Sequence, residues 1–307
     1  MKAAFFMKNG GPEVMQYGDV PDPVAGPGEV LVDVHAASVN GADWKVRAGH
    51  YAPITKFPYI PGRDFSGVVS ALGSGVTDFK LGDAVFGVVE QTGEFCYAEK
   101  VVIKASILAK KPDSLSHIEA AALGLIGLTA LVSVEDTLKL KKDETILVQG
   151  GAGGVASFGI QVAKHIGARV ITTASAANHD YLRKLGADQI IDYTKQDFTK
   201  VVSNVDAVFD TVGGDVAKKA FDVIKPGGRA AFIGSGPVAP PSPRNDVASL
   251  RPKVGRDRQH LERIVELVGK GVVKIPEIKV YSLKDAVDAH RVSEGRHLRG
   301  KLVFKVR

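Results

Sequence analysis

The rhythm of hydrophobic positions changes once along this chain. Up to about residue 120, short apolar runs alternate with Gly and Pro: 29–39 (EVLVDVHAASV), 63–72 (RDFSGVVSAL), 83–90 (DAVFGVVE) and 96–103 (CYAEKVVI). That is the pattern of a mostly β domain built from short strands. Beyond it the runs lengthen and alternate in type. A helical stretch at 117–138 precedes an apolar strand at 145–150. A helix over 154–166, a strand at 168–174, a helix over 178–185, strands at 188–193 and 205–212, a helix over 215–223 and a strand at 228–235 then follow. Strands interleaved with helices predict βαβ units and a parallel sheet covered on both faces. After a proline-laden stretch (GPVAPPSPR, 236–244) one more helix is expected at 259–271. The tail again reads strand, helix, strand, so it is expected to rejoin the first domain. The predicted fold class is α/β, with a β domain from 1–122 and 257–307 and a doubly wound parallel-sheet domain from 123–256.

Composition narrows the function classes. With 307 residues, 45% hydrophobic and 24% charged, the chain has enough length for two domains of ordinary size. No run approaches the roughly 18 uninterrupted apolar residues of a membrane helix, and the N-terminus meets Gly and Pro too early for a signal peptide. A soluble cytoplasmic protein is expected. The single cysteine, Cys96, cannot form an intramolecular disulfide and reads as a small buried hydrophobe. The eight histidines show no ligand spacing, so no metal site is expected. A net charge of +6 suits an anionic ligand. The one basic cluster, 251–258 (RPKVGRDR), lacks interleaved aromatic residues and reads as a loop, not a nucleic-acid contact.

The chemistry concentrates in 146–175, ILVQGGAGGVASFGIQVAKHIGARVITTAS. Here an apolar strand runs into Gly150-x-x-Gly153-x-x-Ala156, with Gly151 and Gly154 added, and then into a helix. Glycines permit the tight turn and bring backbone close to a pyrophosphate, whose charge meets the free N–H groups of the helix start. Gly150, Gly151, Ala152, Gly153, Gly154 and Val155 are therefore the expected cofactor-binding turn. An NAD site places an acid at the end of the second strand for the ribose 2′-hydroxyl; here the strand ends Thr173-Ala174-Ser175, and His179 and Arg183 follow. Ser175, His179 and Arg183 thus point to the 2′-phosphate of NADPH. Tyr193 could lie beside that phosphate or the adenosine, or simply cap the sheet edge.

Taken in order, VNGADWKVRAGHY (39–51), PGRDFSGVV (61–69), GLTA (127–130), the glycine turn, LGADQIIDY (185–193), FDTVGG (209–214), GGRAAFIGS (227–235) and RGKLVF (299–304) cover nearly the whole chain. They resemble the zinc-independent quinone oxidoreductases of the medium-chain dehydrogenase/reductase superfamily, the group that includes zeta-crystallin-like proteins. The resemblance implies a GroES-like β domain with the substrate pocket, a Rossmann domain holding NADPH, a cleft between them for hydride transfer, and a homodimer. Zinc-dependent relatives place cysteine at the position of Asn40 and Gly-His-Glu at Gly62-Arg63-Asp64, so those ligands are absent. By the same resemblance Asn40 and Tyr51 face the nicotinamide and the substrate, with Tyr51 donating to an oxyanion. Their plain readings are a turn residue and a packing aromatic. Thr129 would touch the nicotinamide, and the backbone of Val212, Ile233, Gly234 and Ser235 would line it. The implied activity is NADPH-dependent reduction of quinones or α,β-unsaturated carbonyls. Alternatives are an enoyl-thioester reductase, or a non-catalytic NADPH-binding protein that contacts RNA or another protein. This chain departs from many relatives in carrying His179 where they have lysine. Its proline-rich loop, 237–243, either overhangs the nicotinamide or merely connects.

Overall fold

The computed structural model describes residues 1–307 apart from 52, 55 and 91–95. They divide into two units, one of Met1–Leu125, Arg256–Gly269 and Ile275–Arg307, the other of Ile126–Gly255 and Lys270–Lys274.

In the first unit β1 (Lys2–Phe5) and β2 (Gln16–Asp19) form an antiparallel pair. The spine is β3 (Glu29–Val39), whose inward Val30, Val32 and Val34 alternate with half-exposed residues, after which every residue from Ala36 to Val39 is buried. Next come α1 (Gly41–Arg47), β4 (Asp64–Leu72), β5 (Ala84–Val88), β6 (Lys100–Lys104) and β7 (Leu108–Lys110). β4 and β6 both pair antiparallel with β3. The expected strand at 96–103 is shorter, because Tyr97 N–H donates to Pro61 O and Tyr97 O accepts from Ala4 N–H instead of entering the ladder. Phe6, Phe65, Tyr97, Leu108 and Phe304 fill the core, and Cys96 is buried among them.

The chain passes through α2 (His117–Leu131), which continues as a π-helical turn over Val132–Thr137. This 21-residue run is apolar and long enough to cross a membrane, yet 78% of its most apolar stretch is buried inside the protein, as in a core helix.

The second unit is built from β8 (Thr145–Gln149), α3 (Gly154–Ile166), β9 (Arg169–Thr173), α4 (His179–Lys184), β10 (Gln189–Ile191), β11 (Val205–Asp210), α5 (Gly214–Lys219), β12 (Ile224–Phe232) and β13 (Ala248–Leu250). All pairings are parallel, in the order β10-β9-β8-β11-β12-β13. This is the Rossmann order, in which the sheet reverses its direction of growth between the first and fourth strands, here β8 and β11. α3 occupies the expected residues and stops at Gly167, whose φ of 93° closes the helix in the left-handed conformation. Gly159 lets α3 approach the sheet: a Cβ there would lie 3.1 Å from the Phe209 ring. Two expectations change. β12 starts earlier than expected, at Ile224, and ends three residues sooner, since Ile233–Ser235 turn away at the sheet edge. β13 has no counterpart in the sequence reading, because three residues are too few to show a period of two.

The tail supplies α6 (Arg258–Gly269), β14 (Ile278–Ser282), α7 (Ala286–Glu294) and β15 (Lys301–Lys305). β15 pairs antiparallel with β3 and parallel with β14. The basic cluster has a structural use. In the second unit Arg251 donates to the carbonyl of Phe232 (2.6 Å); in the first, Arg256 donates to that of Val89 (2.9 Å) and Arg258 to that of Leu108 (2.9 Å).

Candidate functional site

The turn after β8 lies at the point where the sheet reverses, the place where open parallel sheets bind ligands. Gly150 N–H donates to Thr173 Oγ1 (3.1 Å), Gly151 N–H to Thr173 O (3.0 Å), and Thr211 Oγ1 to Gln149 O (2.8 Å). The glycines have different reasons to be glycine. Gly150 has φ +78°, and a Cβ on it would meet Thr211 Oγ1 at 2.8 Å; on Gly151 a Cβ would meet Thr172 Oγ1 at 2.2 Å. Both are required by the protein's own packing. Gly153 has extended backbone, and a Cβ there would find only Gly150 O, at 3.5 Å. Its open side is therefore available to something outside the protein. Ala156 is buried, whereas Ala152, Gly153, Gly154 and Val155 form an accessible lip. Gly153 caps α3 without a side-chain bond, so the first-turn N–H groups face that lip with no carbonyl one turn back.

Beyond β9, Ser175 Oγ accepts from Asn178 Nδ2 (3.1 Å), and His179 Nε2 lies 3.3 Å from Ala174 O. Arg183 pairs with Asp180 at 2.5 Å, both well exposed. Such a surface pair is weak, so the guanidinium can exchange it for a phosphate. Tyr193 is half exposed. The acid before it, Asp192, is turned onto the Thr194 hydroxyl (2.7 Å) and N–H (3.0 Å), which hold its carboxyl below the usual range.

At the ends of β11 and β12 the organising residue is Asp210, which the sequence reading did not single out. Its carboxylate accepts from the N–H groups of Val212 (3.2 Å) and Gly213 (3.0 Å), and its carbonyl accepts from Ile233 N–H (3.0 Å). The two turns meet backbone to backbone: a Cβ on Gly213 would lie 2.4 Å from Gly234 O, and one on Gly234 2.6 Å from Gly213 N. Burial pushes the Asp210 carboxyl up to about 6, with the two N–H groups opposing. Nearby, Val212 is exposed, whereas the Ser235 hydroxyl is buried without a hydrogen-bond partner among the described residues, as is the whole Gln149 amide. Thr129, on α2, is nearly buried and its carbonyl accepts from Ser133 Oγ (2.6 Å). A dinucleotide fits this unit: open space at Gly153, unpaired helix amides beside it, and an orphan hydroxyl at Ser235.

In the first unit Asn40 is the N-cap of α1 and is buried. Its N–H donates to Asp43 Oδ2 (2.8 Å) and its Nδ2 to Asp64 Oδ1 (2.7 Å), while Oδ1 accepts from Lys301 Nζ (2.7 Å). Lys301 also donates to Val39 O (2.9 Å); Ser38 Oγ and Leu125 N–H donate to Asp64 (2.7 and 2.9 Å). Burial pulls the Lys301 ammonium below its ordinary value, against the opposing pull of Asp64 and Asp43. Tyr51 is 48% exposed, with the Arg63 guanidinium 5.9 Å from its ring centre; Arg63 also lies 3.7 Å from Asp43. Sequence reasoning named Asn40 and Tyr51 but missed Lys301 and Asp43. A lysine opening an apolar strand gives no hint that its head is buried.

Residues 26–113 match the alcohol dehydrogenase GroES-like domain family and 185–304 the zinc-binding dehydrogenase family. A quinone oxidoreductase structure from Coxiella burnetii is 37% identical, with a TM-score of 0.93 and 100% of this chain and 99% of that one covered. The Escherichia coli quinone oxidoreductase complexed with NADPH is 29% identical, with a TM-score of 0.91 and both chains fully covered. The chloroplastic NADPH-dependent alkenal/one oxidoreductase of Arabidopsis thaliana is 34% identical over 99% of this chain and 79% of that protein. The chain belongs to the quinone oxidoreductase family of the medium-chain dehydrogenase/reductase superfamily.

For a quinone oxidoreductase the donor set of the first unit is telling. Asn40 and Arg63 stand where zinc-dependent relatives place cysteine and histidine, and they are engaged with Lys301, Asp64 and Asp43. Among the described residues no three His, Cys, Asp or Glu side chains converge as metal ligands.

The glycine turn yields a contrast in stability. Gly151→Ala is expected to cost roughly 1–3 kcal/mol through overpacking against Thr172, and Gly153→Ala less than about 1 kcal/mol, measured by denaturant unfolding without cofactor. Asp210 yields a pH effect. Its carboxyl titrates near 3.8 when unperturbed and near 6 in the fold, so the folded state binds the proton more tightly. The stability it contributes is present at low pH and is lost as pH rises from about 3.8 to about 6. Asp210→Asn, which keeps an oxygen for the turn, should gain stability relative to the parent at pH 8 by up to roughly 2–3 kcal/mol, compared with its difference from the parent at pH 4. Parallel unfolding curves at the two pH values test this.

Proposed function

We propose that this protein is an NADPH-dependent reductase of quinones or α,β-unsaturated carbonyls that works without zinc. The observation that carries the reading is the open Gly153 at the start of α3, beside a β9 that ends without an acid. Support comes from relatives and structures named for NADPH and for quinone or alkenal/one reduction.

In this reading the lip from Gly150 to Val155 binds the pyrophosphate, and Ser175, His179, Arg183 and Tyr193 surround the 2′-phosphate. Thr129, Val212, Ile233, Gly234 and Ser235 hold the nicotinamide, with Asp210 setting the turn that presents Val212. NADPH, when bound, supplies the hydride. Tyr51, half exposed under Arg63, donates a hydrogen bond to the carbonyl oxygen as negative charge grows on it. Water supplies the proton that completes the reduced product. From its sequence the protein is also read as cytoplasmic, and by family resemblance as a homodimer.

The test is NADPH oxidation, followed by loss of its near-ultraviolet absorbance, against benzoquinone, naphthoquinone, short enals and enones, and a crotonyl thioester. Turnover with quinones or enones that survives exhaustive chelation is expected. Preference for the thioester would reassign the substrate, and NADPH binding without oxidation would make the protein a binding module. Tyr51→Phe should lower kcat by roughly 10- to 100-fold with NADPH affinity unchanged, because a bond that strengthens with developing charge acts in the transition state. Gly153→Val should fold and fail to bind NADPH in a fluorescence titration.

A further inference from the structure

The Asn40 amide has little left to offer a substrate. Its oxygen faces the Lys301 ammonium at 2.7 Å and its nitrogen faces Asp64 at 2.7 Å; the remaining N–H points to the Ser38 carbonyl at 3.4 Å. Lys301 and Asp64 are themselves buried and carry opposite charges, and no direct salt bridge joins them among the described residues. The amide stands between them with its dipole aligned, oxygen to the cation and N–H to the anion. Neutral groups also serve them, Val39 O for Lys301 and Ser38 Oγ and Leu125 N–H for Asp64, but an unpaired buried charge is strongly disfavoured, and the Asn40 amide is the group that links the cation to the anion.

We propose that Lys301, Asn40 and Asp64 act as one electrostatic unit, in which Lys301 and Asp64 are positioning residues that lock the Asn40 amide inward, so that Asn40 shapes the substrate side without hydrogen-bonding the substrate. The proposal rests on the reductase reading above, and it reassigns Asn40 within it: Tyr51 is the donor to the carbonyl oxygen, and Asn40 is the fixed surface beside it.

The test exchanges the polarity of the Asn40–Asp64 bond. In Asn40→Asp two carboxylates face each other, and kcat with NADPH and benzoquinone should fall at least tenfold while the NADPH dissociation constant stays within threefold. Adding Asp64→Asn restores a donor opposite an acceptor and puts the carboxylate against Lys301; the double variant should recover most of the lost kcat. If Asn40 donates to the substrate, the double variant stays as slow as Asn40→Asp, because position 40 no longer carries an N–H, and the proposal is overturned. Lys301→Met should lower kcat as much as Asn40→Ala does, and the Lys301→Met/Asn40→Ala double variant should be no slower than the slower single one. Multiplicative losses would mean that Lys301 acts elsewhere. If Lys301→Met does not fold, Lys301→Arg takes its place, and it should retain most of the turnover because the cation is kept. Thermal unfolding of the Asn40→Asp, Asp64→Asn and combined variants is a second readout: non-additive recovery supports the unit, and additive losses overturn it. If the parent oxidises no NADPH with any quinone or enone, the reductase reading fails, and the unfolding cycle still decides whether the three residues form one unit.

Discussion

A parallel sheet delivers the carboxyl end of every strand to the same edge, and there each chain must turn without a partner strand to receive its amides. Asp210 meets that constraint at the centre of the second unit. Its side chain takes two N–H groups of the turn that follows, and its carbonyl takes the N–H of Ile233 from the neighbouring turn. With both turns fixed, Gly213 and Gly234 can touch backbone to backbone. The cost is a buried carboxyl that holds its proton unusually well. Of the residues read as nicotinamide-lining, Val212 is held by the Asp210 side chain and Ile233 by its backbone carbonyl. On the other side of β8 the same edge is closed by Thr173, which receives the amides of Gly150 and Gly151.

The first unit solves a different problem with similar means. Its core brings Asp43, Asp64, Arg47 and Lys301 out of water, where unpaired charges are strongly disfavoured. Asp43 receives the Asn40 backbone N–H and the Tyr97 hydroxyl; Asp64 receives Ser38, the Asn40 side-chain amide and Leu125; Arg47 reaches Gly10 and Glu294; Lys301 reaches Val39 and Asn40. These bonds tie α1, β4, α2 and β15 around the end of β3. In zinc-dependent relatives the equivalents of positions 40 and 63 are ligands. Here Asn40 and Arg63 occupy those positions, and they are engaged with Lys301, Asp64 and Asp43 by hydrogen bonds and opposed charges.

Much of this organisation was legible in the sequence, and the reasons are local. The period of 3.6 over 154–166 and the apolar runs at 145–150 and 205–212 are properties of the chain itself, and so is the clustering of glycine after β8. The lack of an acid after Thr173 needs no structure to be seen. Other features depend on which segments come together. Sequence grouped six positions, Gly150 to Val155, as one motif; the fold separates Gly150 and Gly151, required by Thr211 and Thr172, from Gly153, which is open. Sequence named Asn40 as a residue facing substrate; the fold spends its amide on Lys301, 261 positions away. The cluster at 251–258 looked like solvated charge, and its arginines are bound to carbonyls that only the folded chain brings near.

The amino-acid sequence by itself determined most of the longer secondary elements, their alternation and the chemistry on offer at the glycine turn, because hydrophobic period, helix start signals and the conformational freedom of glycine act over a few residues. Tertiary structure decided which polar side chains are buried, which partners satisfy them, and therefore which groups remain for a ligand. That decision belongs to the fold because desolvation and hydrogen bonding depend on what stands within a few ångströms of an atom, and Lys301 reaches Asn40 only when β15 lies against β3.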